Sequence, residues 1–87
     1  MIEPRIINTP PANIEQRVKV LDFCYKHHQN FTRKQLTEMA RKEFDYEECK
    51  YYQYLWTHNY LQHDYDGFAM LGTKGGLLRL DYKQRLS

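Results

Sequence analysis

The stretch LWTHNYLQHDYDGFAML (residues 55–71) decides the fold, because the spacing of its apolar residues changes within it. Before Asn59 apolar side chains recur every three to four positions, as they do on a helix. Over residues 61–65 the spacing falls to two, and a second apolar run, residues 68–71, follows Asp66-Gly67. An Asp-Gly pair between two such runs is a strong hairpin signal. The stretch therefore predicts the end of a helix followed by a β-hairpin.

Upstream of this stretch, capping boxes predict where three helices begin. In a capping box an N-cap side chain precedes a Gln or Glu that lies three residues further on and reaches back to the cap. The three pairs are Asn13 with Gln16, Thr32 with Gln35, and Asp45 with Glu48. The first helix is expected to fade over residues 27–30, and the third to cover residues 46–58.

Downstream of the hairpin, Thr73 is expected to cap a last helix that carries Leu77, Leu78, Leu80, Tyr82 and Leu86. At the other end of the chain, the prolines within residues 1–12 disfavour a helix and predict an extended arm. The sequence thus predicts one domain over residues 13–87, mainly α-helical with a small β-hairpin.

Helical periodicity assigns a buried and an outer face to each of the first three helices. Ile14, Val18, Leu21, Tyr25 and His28 are expected to face the core from the first helix. From the second helix the expected buried side consists of Leu36, Met39, Ala40, Glu43 and Phe44, with Glu43 at its margin. From the third helix the expected core residues are Cys49, Tyr52, Leu55 and Trp56, and the expected outer residues are Glu47, Lys50, Tyr51, Tyr54 and His58.

Composition excludes several classes of protein. The 87 residues carry a formal net charge of +2, which is too small to indicate nucleic-acid binding by itself. The start of the chain lacks the features of a signal peptide, and no apolar run approaches the roughly 18 residues that cross a bilayer. We therefore expect a cytoplasmic protein without a membrane partner. The two cysteines, Cys24 and Cys49, lie in apolar patterns and are expected to be buried free thiols.

No motif of catalysis or metal binding stands out. His27 and His28 are adjacent and point to different sides of a helix, and no Cys or His spacing matches a structural zinc site. The glycines of residues 72–76 lack the spacing of a phosphate-binding loop. We expect neither an enzyme nor a metal, and no small-molecule cofactor.

The order of elements, three helices and then a hairpin and a last helix, resembles the winged-helix family of helix-turn-helix domains over residues 13–86. Residues 55–61 (LWTHNYL) resemble the exit of the family's recognition helix, where Asn59 suits a left-handed C-cap. Residues 67–75 (GFAMLGTKG) resemble the second wing strand and the start of the final helix. Family members often place the threonine directly after the last leucine of the strand, whereas Gly72 intervenes here, which leaves the end of the hairpin open.

The resemblance implies that the third helix enters the major groove of double-stranded DNA. Base or phosphate contacts would come from its outer face, and phosphate contacts from the start of the second helix and from beside the wing. The implied DNA-binding residues are Arg33, Lys34, Glu47, Lys50, Tyr51, Tyr54 and Lys74. The implied function is that of a transcriptional or replication accessory regulator, and the small size suits a phage or accessory protein.

Two features keep a second interpretation open. The first turn of the third helix is acidic, and the wing carries Asp64 and Asp66 with no Lys or Arg between Tyr60 and Thr73. A tyrosine-rich outer face would also suit a protein interface. The alternative is therefore a protein–protein interaction module of the same fold, with Tyr51 or Tyr54 packed in the core as a further option. A homodimer through the arm or the last helix is also open.

Overall fold

A computed structural model describes residues 10–87. Within these residues it contains four helices and one two-stranded antiparallel sheet, so the expected mainly α-helical class with a small hairpin is confirmed. The elements are α1 (Ile14–Lys26), α2 (Arg33–Glu43), α3 (Tyr46–Thr57), β1 (Leu61–His63), β2 (Ala69–Leu71) and α4 (Thr73–Leu86). Of the expected extended arm, residues 1–9 lie outside the described residues, and residues 10–12 lead into α1 without regular structure.

All three predicted capping boxes are present. In each box the N-cap side chain accepts a hydrogen bond from the backbone NH three residues later, and the Gln or Glu at that position accepts one from the N-cap NH. The boxes satisfy two of the backbone donors that every helix start leaves unpaired. The starts of α1, α2 and α3 are therefore local properties of the sequence.

The start of α4 differs from the prediction. Gly72, not Thr73, is the N-cap, and no side chain caps this helix. The Gly72 NH donates to the Tyr60 carbonyl at 3.1 Å, which continues the pairing of the hairpin for one residue beyond β2. Thr73 is the first helical residue, because the NH of the preceding Gly72 is still bonded within the hairpin.

α3 ends in a Schellman motif. This motif contains a residue in the left-handed conformation, as was predicted for Asn59. Asn59 has φ 63°. The Tyr60 NH donates to the Leu55 carbonyl at 2.9 Å, and the Asn59 NH donates to the Trp56 carbonyl at 3.2 Å. This exit turns the chain directly into β1.

The hairpin pairs β1 with β2, and Leu61 lies opposite Leu71. Its loop is longer than the Asp-Gly pair alone suggests, because the Asp64 NH still donates to the Phe68 carbonyl at 2.9 Å. The loop therefore holds three residues, and Gly67 at φ 86° takes the left-handed position.

The connection from α1 to α2 lies along the hairpin, which the sequence did not reveal. Thr32 forms an isolated antiparallel bridge with Phe68. The Ala69 NH donates to the Phe31 carbonyl at 2.7 Å, and the Leu71 NH donates to His28 Nδ1 at 3.0 Å. These bonds fix the hairpin relative to the first turn of α2.

The core lies where α1, α3 and α4 meet, with α2 and the hairpin closing its sides. Its fully buried centre includes Leu21, Leu36, Leu55 and Leu61. The third-helix residues Tyr52, Leu55 and Trp56 are buried as expected, and Cys49 is half-buried. The cysteines are free thiols, as expected, although only Cys24 is fully buried.

Three of the expected core positions are wrong or marginal. Tyr25 is exposed, because the α1 face that packs against its neighbours is centred on Val20, Leu21 and Cys24. Glu43 at the end of α2 is exposed, and Met39 is half-buried. Both α1 and α2 are thus rotated slightly from the faces that the periodicity predicted.

Candidate nucleic-acid interface

The exposed face of α3 is a polar stripe. Tyr46, Lys50, Gln53 and Thr57 are all exposed. They are spaced at i, i+4, i+7 and i+11, so they lie on one side of the helix. The opposite side carries Leu55, which is fully buried. We call these four residues the outer stripe.

Tyr51 does not belong to this face, and its expected exposure is wrong. Its side chain is 0% exposed. It packs beneath the guanidinium of Arg17 from α1, whose Cζ lies 5.9 Å from the ring and 5.7 Å from the ring of Tyr82 in α4. Burial and the neighbouring Tyr82 phenol raise the pKa of Tyr51, so its hydroxyl stays protonated. The option that Tyr51 packs in the core is confirmed.

Tyr54 lies at the border between the core and the outer stripe and is half-buried. Its ring stacks between Tyr51 and Tyr60, with centroids 5.6 Å and 6.3 Å away, and lies 4.2 Å from the His58 ring. Burial and the neighbouring Tyr60 raise the pKa of Tyr54, so it can donate a hydrogen bond at neutral pH. Its hydroxyl can therefore contact a ligand only at one edge of the outer stripe.

Lys50 and Glu47 are both exposed, as the sequence predicted. The Lys50 Nζ lies 5.2 Å from the Tyr46 ring centroid. Within residues 10–87 it forms no ion pair. Glu47 lies in the first turn of α3, where a carboxylate complements the helix dipole. Lys50 is therefore the cation of the outer stripe, and Glu47 lies beside it.

Arg33 is held against the C-terminal half of α3. Its Cζ lies 4.5 Å from the Trp56 ring centroid, and the Trp56 ring lies 5.2 Å from the His63 ring. Together with Asn59 and Gln62 these side chains line a cavity of 410 Å³ between the start of α2 and strand β1. Stacking on Trp56 orients the guanidinium without neutralising its charge.

Lys74 is held in the same way on the other side of α3. Its Nζ lies 4.6 Å from the ring centroid of Tyr60, the residue that directly precedes β1. Lys34 is exposed in the first turn of α2, beside Arg33. The structure thus brings Arg33, Lys34, Lys50 and Lys74 to the part of the surface around α3 and removes Tyr51 from it.

Charges are distributed unevenly over residues 10–87. Several cations of α1 and α4 are paired: Lys19 with Glu48 at 3.2 Å, Arg79 and Lys83 with Asp22, and Arg85 with Asp81 at 3.1 Å. Among the described residues none of the cations of α2 and α3 forms an ion pair, and neither do Lys74 in the first turn of α4 nor Arg17 and Lys26 of α1; the cations of α2 and α3 are Arg33, Lys34, Arg41, Lys42 and Lys50. A cation that forms no ion pair can bind an anion without first losing an existing partner.

The β-hairpin has the opposite character. Its tip residue Tyr65 is fully exposed, between Asp64 and Asp66. Asp64 accepts hydrogen bonds from the backbone NH groups of Asp66 at 2.9 Å and Phe68 at 2.8 Å. The carboxylate of Asp64 therefore organises the turn, and no described residue of the hairpin, residues 61–71, is a Lys or Arg.

Gln53 and Thr57 belong to the outer stripe, which the sequence prediction of the exposed face did not include. The signal was present, because Tyr46, Lys50, Gln53 and Thr57 form an uninterrupted helical stripe without an aliphatic residue. Periodicity alone assigns the wrong residues to the exposed face, because Tyr51 and Tyr54 suit a core and a surface equally well. Trp56 was correctly assigned to the core, but its role beneath Arg33 could not be read from its position.

Within residues 10–87 no group of three or more His, Cys, Asp or Glu side chains is arranged to hold a metal ion. In the same part of the chain no helix is both long enough and apolar enough to span a membrane. Comparisons with protein-family models, with curated proteins and with solved structures found no match.

Proposed function

We propose that this protein is a winged-helix DNA-binding protein that places the outer stripe of α3 in the major groove of double-stranded DNA. The proposal rests on two cation–π contacts, Arg33 on Trp56 and Lys74 on Tyr60, which hold one cation on either side of that stripe. Two unpaired cations that flank a polar helix face match the two phosphate backbones that border a major groove. In this role the protein acts as a transcriptional or replication accessory regulator.

The chemistry of the outer stripe suits the reading of base edges. A lysine such as Lys50 donates to guanine O6 and N7, and a glutamine such as Gln53 forms a bidentate pair with adenine. The Thr57 methyl group can pack against a thymine methyl. Each side chain is exposed and lies on one helix face, so all three can reach adjacent base pairs.

Arg33 and Lys34 contribute differently, because they begin α2. The first backbone NH groups of a helix attract anions, and two cations at the same place strengthen that attraction. These residues therefore bind a phosphate and fix the position of α3, without reading sequence. Lys74, in the first turn of α4, does the same on the other side of the groove.

The acidic wing limits the affinity. Asp64 and Asp66 neutralise no phosphate, and a wing that follows the minor groove normally carries Arg or Lys. We therefore place the wing away from the DNA backbone, with binding supported by α2, α3 and Lys74. Non-specific affinity then rests on about four cations per chain, which gives weak binding at physiological salt.

The test begins with selection of duplexes from a random pool, followed by fluorescence anisotropy on a selected and an unrelated duplex. Gln53→Ala is expected to weaken binding to the selected duplex by about 1–3 kcal/mol and to change the unrelated one little. Arg33→Ala is expected to weaken both and to reduce the salt dependence by about one phosphate contact.

The matched control is Lys26→Ala, which removes an exposed cation from the end of α1, away from the proposed face. It should leave both affinities close to wild type. Equal losses in Lys26→Ala and Arg33→Ala would show that only net charge matters and would overturn the placement of the interface. Absence of any binding at low salt would overturn the proposed function.

The alternative, a protein–protein interaction module, keeps one supporting observation. Tyr46 and Tyr65 are 72% and 108% exposed, and exposed tyrosines are frequent at hot spots of protein interfaces. Tyr51, which was expected on the tyrosine-rich face together with Tyr54, is buried. If no duplex binds, Tyr46→Ala and Tyr65→Ala become the variants with which to test capture of a protein partner.

A further inference from the structure

The cavity between the start of α2 and strand β1 holds a histidine beside Arg33. The His63 ring centroid lies 5.2 Å from that of Trp56, and the Arg33 Cζ lies 4.5 Å from the same Trp56 ring. Trp56 is 8% exposed, so the core fixes the ring against which both side chains rest. His63 and Arg33 are themselves exposed, and both line the 410 Å³ cavity. The fold therefore presents an imidazole and a guanidinium to one ligand position.

The hydrogen-bond donors beside this cavity are free to bind an anion. The capping box of α2 uses the NH groups of Thr32 and Gln35, whereas those of Arg33 and Lys34 donate to no acceptor within residues 10–87. In the same part of the chain neither Arg33 nor His63 forms an ion pair. A guanidinium, an imidazolium and the NH groups of a helix start all donate to phosphate oxygens.

Protonation of His63 changes what this position offers to a phosphate. The neutral imidazole can donate one hydrogen bond, whereas the imidazolium also carries a positive charge, and histidine titrates close to neutral pH. The titratable groups that face His63 are Arg33 from α2 and, from the hairpin loop, Asp64 and Tyr65. Strand β2 carries no titratable side chain. The Asp64 carboxylate accepts bonds from the turn and from Gln29, so it is engaged within the hairpin loop.

We propose that His63 and Arg33 together bind one phosphate of the DNA backbone in this cavity, and that protonation of His63 strengthens duplex binding at mildly acidic pH. This inference rests on the proposed function and adds its regulation by pH. The contact comes from strand β1 beside α2, and Asp66 at the acidic turn takes no part in it. Because only the imidazolium neutralises a phosphate charge, binding takes up protons in the range where histidine titrates.

The test measures duplex binding by fluorescence anisotropy at about pH 8 and about pH 5.5, at constant ionic strength. The wild-type chain should bind about threefold or more tightly at the lower pH, with a salt slope larger by about one phosphate contact. His63→Gln keeps a neutral donor without the charge. It should match the wild type at the higher pH and gain nothing at the lower one. A purely structural role for His63 would instead lower the affinity of His63→Gln equally at both pH values and would overturn the inference.

His63→Lys makes the complementary change, because a lysine keeps its charge over this range. At the higher pH it should bind about as tightly as the wild type binds at the lower pH. Calorimetry in two buffers with different ionisation enthalpies should show proton uptake on binding by the wild type at about pH 6.5. This uptake should be reduced in both His63 variants.

His27→Gln and His58→Gln are the matched controls. His27 packs against Phe23, and His58 packs against Tyr54, and neither histidine lines the cavity. Both controls should keep the pH dependence of the wild type, and far-ultraviolet circular dichroism at both pH values checks that each variant is folded. If the wild type binds equally at both pH values, or if His63→Gln keeps the full pH dependence, the inference is overturned while the proposed function stands. Absence of binding at either pH overturns both.

Discussion

The Tyr51 side chain lies at the contact between α1, α3 and α4, and its hydroxyl is buried without a well-aligned hydrogen bond among the described residues. A buried polar group without a partner costs about 1–3 kcal/mol. The ring compensates for this cost through burial and through the Arg17 guanidinium above it. The guanidinium in turn donates to the carbonyls of Pro10 at 2.7 Å and Pro11 at 3.2 Å, and so ties the start of the described chain to the core.

Removal of this hydroxyl should therefore be tolerated. Tyr51→Phe is expected to match or exceed the wild-type stability, by up to about 1 kcal/mol, whereas Tyr51→Ala should lose about 3–5 kcal/mol through the cavity it leaves. Urea unfolding measures both changes. Tyr51→Phe should also leave DNA affinity unchanged, and a clear loss of affinity in a stable Tyr51→Phe protein would show that the hydroxyl reaches the ligand.

At the scale of the element, α4 depends on a close approach to the hairpin. A Cβ added at Gly75 would lie 2.5 Å from Leu71 Cδ1 and 2.9 Å from the Tyr60 carbonyl oxygen. The backbone oxygen cannot move without disturbing the exit of α3. Gly75 is therefore required for packing, whereas its neighbour Gly76 faces open space.

The two glycines give a matched pair of substitutions. Gly75→Ala should destabilise the protein by about 1–3 kcal/mol, because the added methyl group overpacks the contact with the hairpin. Gly76→Ala should stabilise it by about 0.5–1 kcal/mol, since alanine lowers the entropic cost of forming the helix. Thermal unfolding of both variants measures the difference. Equal effects at the two positions would contradict the described packing of α4 on β2.

The turn of the hairpin depends on the ionised form of Asp64. Although desolvation opposes ionisation, hydrogen bonds from the Phe68 NH, the Gln29 side chain and the Asp66 NH hold the pKa of Asp64 below its usual value. A lowered folded-state pKa stabilises the turn fully above the unfolded-state value of about 3.9, and this stabilisation is lost as the pH falls through the folded-state pKa.

We therefore expect the turn to open under acid conditions before the helices unfold. Amide proton chemical shifts and exchange rates of Asp66 and Phe68, followed by NMR from pH 7 to pH 2, measure this. In Asp64→Asn the amide oxygen can still accept the bonds but does not titrate, so the same signals should lose their pH dependence in this range. Retention of the dependence would assign it to another group.

At the scale of the whole molecule, the net charge of +2 conceals a separation of paired and unpaired cations. Lys19, Arg79, Lys83 and Arg85 are bound to carboxylates, whereas Arg33, Lys34, Lys50 and Lys74 lie around α3 without ion pairs among the described residues. An electrostatic interaction with DNA depends on this local distribution more than on the total.

The salt dependence of duplex binding follows from this count. With four phosphates neutralised per chain, the slope of log K against log salt should lie between about −3 and −4. Asp66→Lys should leave the slope unchanged if the wing lies away from the backbone. Anisotropy titrations at several salt concentrations measure both quantities, and a slope near −5 in Asp66→Lys would place the wing on the DNA.

The sequence by itself determined the order of elements, because the signals for that order are local. Capping boxes at Asn13, Thr32 and Asp45, the left-handed Asn59 and the glycine of the hairpin loop act within a few residues of themselves, and each was found where the sequence predicted it. The exposure of Lys50 could also be predicted, since a charged residue rarely occupies a core.

Only the tertiary structure decided which side of α3 is exposed and where α4 begins. The elements that pack against a helix decide which of its faces is buried. Tyr51 is buried because it packs against Arg17 and Tyr82, which are distant in sequence. The amphipathic tyrosine side chain gives no periodic signal that separates core from surface. Gly72 becomes the cap of α4 because Tyr60, twelve residues earlier, holds its NH in the hairpin, a long-range bond that no local pattern records.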